Sequence, residues 1–203
     1  YSRRAFESYL EGKEYEEIAS SEVWYEERTD FSRAAAGTDR ISHKEVRGYE
    51  LLQGKKVFEG RLLGGCLESL YDILTTTRYA DEKAVCEKYG IFPPREEWTG
   101  KILFVETCEE KPRPALFEKE LEALKARGVF DVVAGVIVGK PQDEAFYEEY
   151  KEIWQKTVNN DQLPIVYNVN FGHATPRCAL QYGTIARVDM EKKVIIFYKP
   201  IDR

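Results

Sequence analysis

Methionine occurs once in the 203 residues, at Met190, and the chain opens at Tyr1 inside an amphipathic pattern. A longer protein, with a segment ahead of Tyr1, is therefore expected. No apolar run approaches the roughly 18–20 residues that a spanning helix needs, and no charged, apolar and small leader segment is visible. Membrane insertion of this piece is excluded and a cytoplasmic location is expected. Charge of one sign is also missing: 30 basic and 36 acidic residues interleave to a net charge of -6, so a nucleic-acid partner is not expected. Histidine is scarce, with only His43 and His173, and the four cysteines, Cys66, Cys86, Cys108 and Cys178, include no CxxC pair. That spacing excludes the usual zinc clusters and reads as free thiols in a reducing compartment. A nucleophile elbow is missing too: Ser2, Ser8, Ser20, Ser21, Ser32, Ser42 and Ser69 lie in no Gly-x-Ser-x-Gly turn.

What is present is enough apolar sequence, 43% of the chain against 33% charged, to bury a real core. One globular domain with an extended arm is expected. Residues 2–19 carry Phe6, Tyr9, Leu10 and Ile18 at helical spacing, and Gly12 reads as a break between two short helices. Residues 20–49 show little periodicity, with Trp24, Tyr25 and Phe31 among acidic residues, as in a long surface excursion. A β signal at 56–63 is closed by Gly64-Gly65, read as a tight strand-to-helix junction before the helical Leu67, Leu70, Tyr71 and Leu74. An irregular stretch follows, ending at Pro93-Pro94. Apolar strands are expected at 101–106, 132–139 and 164–167, and helices at 114–127 and 143–158. In the first of these helices Leu116, Phe117, Leu121 and Leu124 face inward and Gly128 caps the end. Strands at 183–189 and 194–198 read as a terminal hairpin around Glu191-Lys192. The alternation of strand and helix is that of an α/β domain.

Open α/β sheets place reacting groups at the carboxyl ends of their strands, and Glu106 stands at such an end. On position alone a glutamate that merely faces water fits as well. His173 follows the strand at 164–167, on a loop where Gly172 allows an unusual backbone angle and Pro176 stiffens the exit. The pair suggests the orienting and proton-transfer members of a nucleophile-histidine-acid triad. Cys108 is a poor nucleophile, because Glu109 and Glu110 would raise its pKa, and it reads as an incidental thiol.

The segments GRLLGGCLESL at 60–70, KILFVET at 101–107, GVFDVVAGVIVGKP at 128–141, LPIVYNVNFGHATP at 163–176 and QYGTIARVD at 181–189 resemble, in order, the signature blocks of the LD-carboxypeptidase and microcin C immunity peptidase family. Two positions depart from the family pattern: Cys66 where an asparagine is usual and Gln181 where a proline is usual. The resemblance implies a swivelling β/β/α domain with an N-terminal helical arm. Residues 1–50 would be the arm and long loop leading in from a nucleophile-bearing N-terminal domain, and 51–203 the C-terminal catalytic domain. It implies Glu106 as triad acid and His173 as triad base, with the serine in the other domain, so this chain alone is expected to be inactive. No cofactor and no metal is implied, and a homodimer is expected. The substrate would be a small peptide or a peptidyl-nucleotide conjugate. Microcin C-like conjugates are favoured over cell-wall LD-tetrapeptides because the 21–27 segment resembles the immunity branch, where a loop tryptophan, here Trp24, can stack on the nucleotide base. Trp24 reads equally well as a cap on an apolar patch or a dimer contact, and Phe31 stands where that branch often has a second tryptophan.

A second reading stays open on the residues, a non-catalytic binding or dimerisation module of the same fold; a metal-dependent hydrolase using His43, His173 and Glu106 fits poorly, because His43 falls in the irregular arm and no close ligand pair exists.

Overall fold

A computed structural model describes residues 1–11, 15–76 and 78–198, without the side chains of Tyr9 and Tyr15. The chain begins with helix α1 (Ser2–Leu10), strand β1 (Tyr15–Ala19) and a ribbon of β2 (Val23–Tyr25) and β3 (Ser42–Lys44). Strands β4 (Glu50–Gln53) and β5 (Val57–Cys66) lead to helices α2 (Leu67–Thr75) and α3 (Glu82–Tyr89). Then come β6 (Ile102–Glu106), α4 (Pro114–Ala126), β7 (Gly135–Gly139), α5 (Tyr147–Val158) and β8 (Ile165–Val169), and last β9 (Ile185–Asp189) and β10 (Val194–Tyr198).

Eight of these strands form one sheet in the order β1-β10-β9-β5-β6-β7-β8-β4. The strands from β5 to β8 run parallel in chain order, and β4, β9, β10 and β1 join antiparallel. Strands β6, β7 and β8 are buried along their whole length, which is why their sequences are apolar runs rather than alternations. One face of them, with Leu103, Val105, Val136, Val138, Ile165 and Tyr167, packs against the helices through Leu67, Phe117, Leu121, Leu124, Tyr150 and Trp154. The other face, with Ile102, Phe104, Ile137 and Val166, packs against Phe58, Ala186, Val188, Ile195 and Phe197 of the antiparallel strands. The sheet therefore folds over on itself, giving a helix layer, a parallel β layer and an antiparallel β layer, the β/β/α arrangement expected.

The fold-over is made by β5. Its first half, Val57 to Arg61, pairs with β9, and its second half, Leu62 to Cys66, pairs with β6. A side chain at Gly64 would place its Cβ 1.8 Å from the Phe104 carbonyl oxygen, so only glycine allows the two backbones to meet there. The glycine pair thus lies inside the strand and not at a junction after it; the helix starts only at Leu67.

Several local expectations are corrected. The second half of 2–19 is not helical: β1 pairs with β10, with Ile18 opposite Ile195, and tertiary pairing overrides the helix preference of Tyr15-Glu16-Glu17. Gly12, read as the break, lies outside the described residues. The 20–49 excursion contains the β2–β3 ribbon, and the stretch before Pro93 contains α3. Leu116 is exposed, whereas Phe117, Leu121 and Leu124 are buried, and Gly128 takes the left-handed conformation after α4. Helix α5 starts at Tyr147, because Asp143, Glu144 and Phe146 have positive φ. The terminal hairpin forms as expected.

Candidate active site

The carboxyl ends of β5, β6, β7 and β8 lie along one edge of the parallel layer, and Glu106 is the last residue of β6. Alternation along β6 turns it away from the helices, onto the side of Ile102 and Phe104. It is 7% exposed, in a space left by two glycines. A Cβ on Gly139 would lie 2.7 Å from Glu106 Cβ, and one on Gly172 would lie 2.5 Å from Glu106 Cγ and Oε2. Gly172 also has φ +89, a conformation that other residues rarely adopt.

That turn brings His173 onto the carboxylate. Glu106 Oε2 accepts the His173 backbone N–H at 3.0 Å and lies 2.7 Å from His173 Nδ1. With the carboxylate ionised and the imidazole neutral, Nδ1 carries the proton and Nε2 the lone pair, on a side chain that is 40% exposed. Nε2 faces the exposed Glu109 at 3.4 Å. Burial raises the Glu106 pKa, the hydrogen bonds and charge of His173 oppose this, and Glu68 adds to the rise; the net direction is upward. The histidine loop is braced at several points. Cys178 N–H donates to the Asn170 carbonyl at 2.7 Å, Arg177 Nη1 to that of Gly172 at 3.0 Å, and Tyr25 N–H to that of Thr175 at 2.9 Å. The last bond ties the arm ribbon directly to the histidine loop.

Glu106 and His173, 67 positions apart, are thus brought together, while Trp24 is placed elsewhere in the neighbourhood. Its indole stacks on the imidazole of His43 at 4.2 Å between centroids, with Lys140 Nζ 5.0 Å from the ring centre. His43 Nε2 lies 2.7 Å from Glu26 Oε1. Among the described residues no group of three or more His, Cys, Asp or Glu side chains could hold a metal ion, so His43, His173 and Glu106 do not form one ligand set.

Cys66, paired in register with Glu106, donates to Glu68 Oε2 at 3.1 Å, and Cys108 N–H donates to Glu68 Oε1 at 2.9 Å. Burial, with help from Glu68, pushes both thiols up to about 12, which leaves them protonated and poor nucleophiles at neutral pH.

The residue that sequence reasoning missed is Lys140, directly after β7. Its side chain is 1% exposed and its ammonium donates to Glu144 at 2.6 Å, Glu45 at 3.0 Å and Asn168 at 3.2 Å. The available signal was a lysine closing an apolar strand, at the same sheet edge as Glu106.

The profile of the LD-carboxypeptidase C-terminal domain matches residues 59–188. The chain is similar to an MccF-like protein from Streptococcus pneumoniae, whose crystal structure was determined in complex with AMP; the two share 51% identity at a TM-score of 0.92 over 97% of this chain and 57% of that one. It is 34% identical over 98 residues to a putative carboxypeptidase of Treponema pallidum, covering 46% of this chain and 28% of the relative. It is 27% identical over 145 residues to the microcin C7 self-immunity protein MccF of Escherichia coli, covering 70% of this chain and 37% of the relative. The chain thus spans little more than a third, at most, of the curated relatives it matches. No helix among the described residues is long and apolar enough to cross a membrane. The profile match covers well over half of the chain and takes in both the strand that ends at Glu106 and the loop that carries His173: the chain belongs to the LD-carboxypeptidase C-terminal domain family.

Proposed function

We propose that this chain supplies the acid and the base of a serine peptidase whose nucleophile lies in a separate N-terminal domain. Residues 1–50 would be the arm leading in from that domain, and 51–203 the catalytic half. The observation that carries the reading is the 2.7 Å contact between Glu106 Oε2 and His173 Nδ1; Nε2, on the other side of the ring, faces the exposed Glu109, which would turn aside for the serine. In the reaction, His173 Nε2 takes the proton of the serine hydroxyl as its oxygen attacks the carbonyl carbon of an amide. The same nitrogen then protonates the leaving amine as the C–N bond breaks, and water attacks the resulting ester in the second half-reaction. Glu106 holds the imidazole tautomer and stabilises its cation. Without the serine the covalent step is lost, so the isolated chain hydrolyses nothing.

The favoured substrate is an acidic amino acid joined by an amide to a nucleotide-like group, ahead of a cell-wall LD-tetrapeptide. Two similarities support this: to the self-immunity protein, and to the relative crystallised with AMP. Trp24 would stack on the base, an interaction worth about 1–3 kcal/mol. The enzyme would be homodimeric, as the family resemblance implies, and cytoplasmic, in keeping with its four free thiols.

The test is hydrolysis of an acidic aminoacyl-sulfamoyl adenosine and of an LD-tetrapeptide by the complete protein, alongside Glu106→Ala and His173→Ala. Loss of about a thousandfold or more in both variants on the nucleotide conjugate is the expected outcome. Cleavage of neither substrate by the wild type would favour the binding-module reading.

A further inference from the structure

We propose that Lys140 is a positioning residue that fixes the Trp24–His43 ribbon over the catalytic edge of the sheet and so sets affinity for the nucleotide end of the substrate. This rests on the reading of Trp24 as the base-stacking residue.

Lysine is almost never fully buried unless it is paired, and Lys140 is 2% exposed. Its partners come from two parts of the chain. Asn168 and Glu144 belong to the body of the domain, at the end of β8 and after β7. Glu45 belongs to the arm, one residue past β3, and its side chain is only 4% exposed. Burial works to raise the Glu45 pKa, but the Arg47 N–H, the Lys140 ammonium and the Gly48 N–H outweigh it, so the carboxylate stays ionised and the contact is a buried ion pair. Asn168 doubles the link, since its Oδ1 accepts from Lys140 while its Nδ2 donates to the Gly48 carbonyl at 2.8 Å.

The ribbon itself is only partly buried: β2 is half-buried, and the middle residue of β3 is its one half-buried position; besides Lys140, the Tyr25 N–H to the Thr175 carbonyl and the Glu27 N–H to Asp143 tie it to the body. The ammonium lies 5.0 Å from the centre of the Trp24 ring, within the range of a cation–π contact. Gly139, the residue before Lys140, leaves the space that Glu106 fills, since a Cβ there would lie 2.7 Å from Glu106 Cβ. Two adjacent residues at the end of β7 thus link the acid of the pair and the aromatic shelf.

Removing one partner of a buried ion pair strands the other charge, so the arm should release when either member is neutralised. The experiment is amide hydrogen exchange on the protein with Lys140→Met, Glu45→Gln, Lys140→Arg and Trp24→Ala, with AMP affinity measured on each. Glu45→Gln is the milder variant, because Lys140 keeps Glu144 and Asn168. Exchange at 23–25 and 42–45 should speed up at least tenfold in Lys140→Met and Glu45→Gln, while β6, β7 and β8 stay as protected as in wild type. AMP affinity should fall about tenfold in both, and Lys140→Arg should recover part of it.

Unchanged arm exchange in both variants would overturn the proposal. So would loss of protection throughout the sheet in both, since Lys140 would then hold the fold and not the arm. So would arm release with AMP affinity kept, if Trp24→Ala weakens AMP. Arm release with AMP affinity indifferent to Lys140→Met and to Trp24→Ala alike would support the positioning role and reject base stacking.

Discussion

A single oxygen of Glu106, Oε2, accepts both the backbone N–H of His173 and, at 2.7 Å, the ring nitrogen Nδ1. The carboxylate therefore fixes both where the imidazole stands and which of its nitrogens carries the proton. Glu106→Gln nearly preserves the shape but can offer an amide N–H to Nδ1, which favours the wrong tautomer. If the complete protein is the proposed peptidase, its kcat should fall by roughly a thousandfold to ten-thousandfold. Stability should move the other way. The Glu106 pKa is raised by folding, so the stability tied to its proton is present at low pH and declines as pH rises past the ordinary carboxylate range. A neutral glutamine avoids that decline, so at pH 8 the variant should melt no lower than wild type while its activity is lost.

Gly172 gives a steric test of the same contact. A methyl group there would sit 2.5 Å from Glu106 Cγ and Oε2, on a backbone already at φ +89. Gly172→Ala should move the carboxylate away from His173 and lower kcat/KM by about a hundredfold, the scale of an ångström-sized misplacement. Activity within a factor of three of wild type would mean that the contact is not needed as it stands.

Glu120 offers a stability test far from the arm. It is 2% exposed between α2 and α4, its Oε2 has no hydrogen-bond partner among the described residues, and burial, with Glu68 and Asp72, pushes its pKa up to about 8. The folded protein then keeps this proton to about pH 8, whereas the unfolded chain releases it near 4.5. Between those values stability should fall as pH rises. Glu120→Gln should flatten the slope and give the higher melting temperature at pH 8.5, as read by thermal denaturation; identical slopes would show that Glu120 ionises normally.

The sequence revealed strands β6, β7 and β8 because residues buried on both faces must all be apolar, and an apolar run is visible without a partner. Strand β1 was hidden because Ile18 is its one described buried residue and its glutamates favour helix; its state is decided by β10, some 180 positions away. Glu106 and His173 could be picked out from strand ends and loop chemistry. Their mutual distance could not, because it depends on Gly139 and Gly172 leaving room for one carboxylate. Lys140 stayed hidden for a related reason: a lysine after a strand ordinarily points into water, and only the convergence of Glu45, Glu144 and Asn168 on it makes it a buried partner.

The most direct measurement is the rate at which a fluorophosphonate labels serine in the complete protein, with wild type compared to His173→Ala. Serine reacts with such reagents only when a base has activated it. Labelling of one serine outside this chain is expected, slowed by about a thousandfold in the variant. Labelling at the same rate with and without His173, or labelling of a serine within these 203 residues, would contradict it.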